Sequence, residues 1–136
     1  PFGAPKIRAV KKEQKLYFWD WGMIEDPGAR FENFMAVQLA RAISKWNEQG
    51  LGPYRLYYLR TKDGQEADFA VADAKGVKLI VECKHSDEAL SKNLIFFKEK
   101  TQAPIAVQVI KNPGVCLLKG PGLFVMSAER LLSLLP

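Results

Sequence analysis

Four charged residues stand inside two otherwise apolar runs of this chain: Glu66 and Asp68 in QEADFAVAD (65–73), Glu82 and Lys84 in VKLIVECK (77–84). Burying a charge is costly unless it is paired or bound. Side chains alternate along a strand. One face of the first run then carries Glu66, Asp68 and Ala70, and the other Ala67, Phe69 and Val71. In the second run Ile80, Glu82 and Lys84 share a face, with Leu79, Val81 and Cys83 on the other. A three-residue hairpin loop, Ala74-Lys75-Gly76, with Gly76 in the left-handed position, would pair Asp73 with Val77. Asp68 then faces Glu82 and Glu66 faces Lys84, with opposed Cβ atoms ~5 Å apart. Two carboxylates so placed repel, unless a hard divalent cation such as Mg²⁺ lies between them. Lys84, two residues beyond Glu82, reaches the same spot.

The elements that must position these groups are legible around them. The segment 29–49 reads as a helix. Phe31, Met35, Leu39, Ala42, Ile43 and Trp46 fall on one arc at ~100° per residue. Asp26 is its candidate N-cap and Pro27 suits its first position. Glu32 falls inside the apolar arc, between Leu39 and Ile43, and so points toward the sheet. Alone it reads as a boundary residue; beside three other misplaced charges it reads as a fourth member of one group. YRLYYLRT (54–61) is a strand before a KDGQ turn, and KLYFWDW (15–21) has strand composition. Ser86 or Asp87 can cap a second helix running to about Lys100. APIAVQVI (103–110) is a further strand, followed by an NPG turn, short extended pieces around GPG, and a last helix capped by Ser127. The order is helix, three strands, helix, strand: a mixed α/β domain with an antiparallel meander at its centre.

The bulk properties narrow the classes. At 136 residues, 48% hydrophobic and 26% charged, the chain is one ordinary globular domain. A net charge of +5 favours an anionic partner or simply solubility. Two cysteines, Cys83 and Cys116, make neither a disulfide framework nor a zinc spacing. No signal peptide and no membrane-long apolar run is present, so a cytoplasmic protein with no membrane partner is expected. Residues 1–14 form a basic arm or linker, with the domain at 15–136. Lys6, Arg8, Lys11, Lys12 and Lys15 there could grip phosphates without reading sequence. The opening PFGAPKIRAVKK lacks an initiator Met, as expected of a piece of a longer protein. His85 reads as a solvated strand-end histidine, Cys83 as a small core residue facing away from the acids, and Trp19, Trp21, Tyr57 and Tyr58 as core aromatics.

A helix Glu (Glu32 in FENF), an Asp on one strand (Asp68 in EADF) and Glu-x-Lys on the next (Glu82-Cys83-Lys84 in VECK) resemble the PD-(D/E)XK nuclease superfamily. The Pro of that motif is absent, Ala67 preceding Asp68. A longer resemblance runs through KLYFWDWGM, ARFENFMAVQLARAI, LYYLRTKDGQEADFAV and KLIVECKHS. It is similar to the uncharacterised C-terminal domain of prokaryotic AAA-type ATPases. The resemblance implies a restriction-endonuclease-like core with a mixed central sheet. It also implies hydrolysis of a phosphodiester, with DNA favoured as the nucleic acid. Asp68, Glu82 and the Cys83 backbone carbonyl would ligate Mg²⁺ or Mn²⁺. Glu32 would bind a second ion or hold a bound water, and Lys84 would act on the developing charge. Lys92 and Lys98 are candidates for contacting nucleic acid. No GxxxxGK[ST] loop occurs, so there is no ATP site in this stretch, and an ATPase partner region would lie upstream. The competing expectation is a catalytically inactive module of the same fold. In it Glu66 pairs with Lys84, and the domain binds nucleic acid or protein under the ATPase's control.

Overall fold

The computed structural model describes residues 14–15, 27–86 and 88–136. Among them the chain is an α/β domain around one mixed sheet of seven strands in the order β1-β2-β3-β4-β5-β7-β6. The strands are β1 (Gln14–Lys15), β2 (Arg55–Thr61), β3 (Glu66–Asp73), β4 (Gly76–Cys83), β5 (Ile105–Ile110), β6 (Cys116–Gly120) and β7 (Leu123–Ser127). The helices are α1 (Pro27–Glu48), α2 (Lys92–Thr101) and α3 (Ala128–Ser133). Strands β1 to β4 pair antiparallel, β4, β5 and β7 run parallel, and β6 closes antiparallel on β7. The meander and the helix-strand order expected from periodicity are present. Asp26, residues 16–21 and the basic residues Lys6, Arg8, Lys11 and Lys12 lie outside the described residues, as does Asp87.

Each face of the sheet has its own core. Phe31, Met35, Ala36 and Leu39 of α1 pack with Phe69, Val81, Val107 and Val109, and with Leu131 of α3. On the opposite face Leu94 and Phe97 of α2 cover Ala67, Ala70, Ala72, Val77, Ile80 and Ala106. The small residues there let α2 lie close to the strands. The end of α1 is tied to the start of β2 by Asn47, whose amide donates to the Tyr54 carbonyl (3.1 Å) and accepts from the Tyr54 N–H (2.8 Å). Gly52, at φ +75°, turns the chain between them; a Cβ there would meet the Tyr54 backbone nitrogen.

Two β-bulges, neither visible as periodicity, interrupt the alternation of β3 and β4. Tyr57 pairs with Ala70 but Leu59 with Ala67, so Asp68 and Phe69 together oppose Tyr58. Alternation breaks there: Ala67 and Ala70 share the α2 face while Phe69 faces α1, correcting the expected face assignment of β3. The second bulge lies in β4. Asp73 pairs with Gly76 and Ala72 with Val77, but Val71 with Leu79, leaving Lys78 as the extra residue. The hairpin loop is therefore two residues, not three, and Lys78 supplies the missing one. Beyond it Phe69 faces Val81, which is the register expected at the acidic end.

The second helix also starts later than expected. Ser91 is its N-cap, accepting from the Asn93 and Leu94 N–H groups. The connection before it is held by the fully buried Gln108, which accepts from Ser91 N–H and donates to the Ala89 carbonyl, both at 2.8 Å. Ser127 occupies the N-cap position of α3, but its hydroxyl makes no cap bond. It bridges the Asn112 carbonyl and the Val115 N–H instead.

Candidate functional site

The charged group gathers at the end of the sheet where β3 begins and β4 finishes. The β3–β4 ladder stops at Phe69 and Val81. One step beyond, the Cys83 N–H donates to Asp68 Oδ2 at 2.8 Å. A side-chain carboxylate thus takes the place of a ladder carbonyl, and the bulge at Asp68 and Phe69 aims it there. On its other edge β4 stays clamped: Lys84 N–H donates to the Val109 carbonyl, and Lys111 N–H to that of His85. In an extended strand the N–H and C=O of one residue lie on the same edge. The Cys83 carbonyl therefore opens toward β3, beside Asp68.

Electrostatics at this end are strained. Burial, then the Glu32 and Glu82 carboxylates, push the Asp68 carboxyl up to about 7, against the opposing pull of the Cys83 N–H and Lys84. Glu82 is 6% exposed and stands beside Gln108 in the parallel ladder. Its buried Oε2 has no hydrogen-bond partner but lies 3.8 Å from Lys84 Nζ. The Lys84 side chain is 43% exposed, so this pair bridges the interior and the surface. The Cys83 thiol is pushed well above its ordinary range by burial and by Asp68, Glu32 and Glu82. Its side chain packs with Val81 on the α1 face, opposite to Ile80 and Glu82 as alternation predicts, and Glu32 of α1 acts on it there.

Of the residues expected from the sequence, Glu32, Asp68, Glu82, Lys84 and the Cys83 backbone thus meet at one place. Lys92 is exposed at the first position of α2, and no ion pair or hydrogen bond joins it to the acids. Lys15 pairs with Arg60 in β1. Glu66 does not reach Lys84: it pairs with Arg60 Nε at 3.5 Å, because the bulge offsets β3 at Asp68 and Arg60 is its cross-strand neighbour. Tyr57 and Tyr58 are half-buried and His85 is exposed. Lys111 was not foreseen. Its ammonium lies 5.6 Å from the centre of the Phe31 ring, one residue from Glu32, and only its position after an apolar strand could have marked it.

A divalent cation suits the chemistry of this donor set: an enclosed carboxyl raised by two neighbouring carboxylates, a buried carboxylate oxygen without a hydrogen bond, and an outward-opening carbonyl. Among the described residues, no three His, Cys, Asp or Glu side chains stand in ligating positions around one point. The side chains would have to converge for an ion to be held. No helix among the described residues is long and apolar enough to cross a membrane.

Residues 27–127 match a family described as a domain of unknown function, DUF4143. The match spans α1 through β7 and includes every residue of the acidic end. Comparison with curated proteins and with solved structures gives no match. The chain belongs to the DUF4143 family.

Proposed function

We propose that this DUF4143 domain is a metal-dependent phosphodiesterase of the PD-(D/E)XK kind, acting on nucleic acid, with DNA favoured, as part of a longer AAA-type ATPase. The observation that supports it most is the placement of Asp68. A bulge sets this carboxyl at the parting of two strands, between Glu32 and Glu82, with Lys84 alongside. A fold gains no stability from such like-charge crowding, so a bound cation is the economical reason for it. Mg²⁺ or Mn²⁺ would be held by Asp68, Glu82 and the Cys83 carbonyl. Bound there, it would neutralise phosphate charge and lower the pKa of the attacking water.

The chain's own groups do the rest. Above about pH 7 Asp68 is ionised and able to ligate; below it, a proton competes for the same oxygen. Lys84, surface-reaching and tethered to Glu82, donates to a non-bridging phosphate oxygen as negative charge grows there. Glu32 holds a water on the α1 side. Lys111 and Lys84 give the rim positive charge for an approaching backbone phosphate.

A second reading has its own support. The acids do not stand in ligating positions, which suits a nuclease-like module that binds nucleic acid without cutting it. Labelled single-stranded, duplex and branched DNA, and RNA, incubated with Mg²⁺, Mn²⁺ or EDTA separate the two. Metal-dependent cleavage by the wild type, reduced at least ~100-fold in Asp68→Ala and in Glu82→Ala, is the expected result. No cleavage, with undiminished nucleic-acid binding by the double variant, overturns it in favour of the binding module.

A further inference from the structure

The second bulge leads to a different place. At the end of the sheet remote from Asp68, a cavity of about 480 Å³ opens between the last turn of α1, the sheet and the chain's C-terminal leucines. Trp46, Leu79, Val107, Phe124 and Leu134 represent its walls. Lys78 is the one charged residue among the described residues that line it.

The bulge decides what stands beside that lysine. Strict alternation after Val77 would send Lys78 to the α1 face and Leu79 to the α2 face. With the extra residue, Val77 stays in the α2-side core while Leu79 joins the α1-side core. Both Lys78 and Leu79 then line the cavity. Lys78 is half-buried, and no carboxylate lies within ion-pair distance of it among the described residues. A single cation at the edge of apolar walls, with no carboxylate in reach among the described residues, is complementary to an anion that carries an apolar tail. The volume is that of a small-molecule site, mostly apolar with few polar groups.

We propose that this cavity binds a small apolar carboxylate of the medium-chain fatty-acid class, its tail against Trp46, Val107 and Phe124 and its carboxylate on Lys78 Nζ. The single cation selects one anionic group. The concave, bounded shape selects a molecule rather than a membrane surface, which would call for several cations on a convex face. The site does not depend on the chemistry at Asp68.

The test is calorimetric titration of the full chain with decanoate, kept below its micelle-forming concentration, against decanol and decyltrimethylammonium as probes of equal tail length. Saturable one-to-one binding of decanoate is expected, with decanol about tenfold or more weaker and the cation weaker still. Lys78→Gln should level decanoate with decanol, Lys78→Arg should keep the preference, and circular dichroism should show both variants folded. Leu79→Trp, which fills the cavity, should abolish all three. Equal affinity of wild type and Lys78→Gln for decanoate would overturn the proposal, as unselective burial of a greasy tail. So would absence of any decanoate binding, which would mean that protein rather than a ligand covers these walls.

Discussion

The two ends of the β3–β4 hairpin, each beside a bulge, hold opposite charges in opposite kinds of surroundings. At one end Asp68 is set among Glu32 and Glu82, so a negative group is crowded by its own kind. At the other, Lys78 is set among aromatic and aliphatic walls, the one charged group among the described residues that line them. The same local device, one added residue, aims the carboxyl itself in one place and brings an apolar neighbour, Leu79, beside the lysine in the other. Under the two proposals, each charge would gain from a bound partner of opposite sign. What differs is the sign of the charge and the chemistry around it, and that difference can be measured.

The largest effect should come from removing the support of the first bulge. Phe69, 1% exposed, anchors it in the α1-side core, and Phe69→Ala should cost about 3–5 kcal/mol in urea unfolding. A loss below 1 kcal/mol would mean that the bulge is held by the strands alone. Next comes Asp68→Asn. The folded pKa of about 7 lies above the ordinary carboxyl value of 3.8, so the native state binds this proton more tightly than the unfolded one. Stability on this account is greatest at low pH, declines as pH rises from about 4 to 7, and stays low above. The amide, which can still accept from Cys83 N–H, should therefore raise stability at pH 8 by on the order of 1 kcal/mol, a gain fading toward pH 4. Melting curves across that range check both sign and window. Adding Mn²⁺ at pH 8 should raise the wild-type Tm and leave Asp68→Asn unmoved.

Lys78→Met probes the other end. It should change stability by less than about 1 kcal/mol in urea unfolding. A loss above about 2 kcal/mol would mean that the ammonium makes a stabilising contact there, and would erase the contrast between the two ends. The smallest effect is chemical. Cys83, its thiol pushed up by burial and three acids, should alkylate with iodoacetamide at least ~10-fold more slowly at pH 8 than the exposed Cys116.

How much of this was readable from residues alone follows the same division. The apolar arc of α1 was legible because Phe31, Met35, Leu39, Ala42 and Ile43 repeat at helical spacing, and all five are buried. The gathering of Glu32, Asp68, Glu82 and Lys84 was legible because charge in an apolar run is conspicuous. The bulges were not. A bulge is fixed by pairing between strands, and Lys78 in VKLIVECK looks like any alternating polar residue. The hairpin estimate reached the right register at Asp68 only because a loop one residue shorter and a strand one residue longer cancel. The start of α2 was missed because Gln108, far away in sequence, decides where the preceding chain lies. The thiol of Cys83 lies on the face that alternation assigns it, opposite to Glu82; alternation describes one strand, so it does not show that Glu32 arrives there from a helix.

The hydrogen bond from the Cys83 amide to Asp68 Oδ2 makes that one backbone proton a gauge of the whole acidic end. Its acceptor is an ionisable side chain and not a peptide carbonyl, so its nuclear magnetic resonance frequency and its solvent-exchange rate should follow the carboxylate's charge. In an isotope-labelled sample a single cross-peak would then trace the titration of Asp68 and the arrival of a cation, with no substrate added and no turnover required.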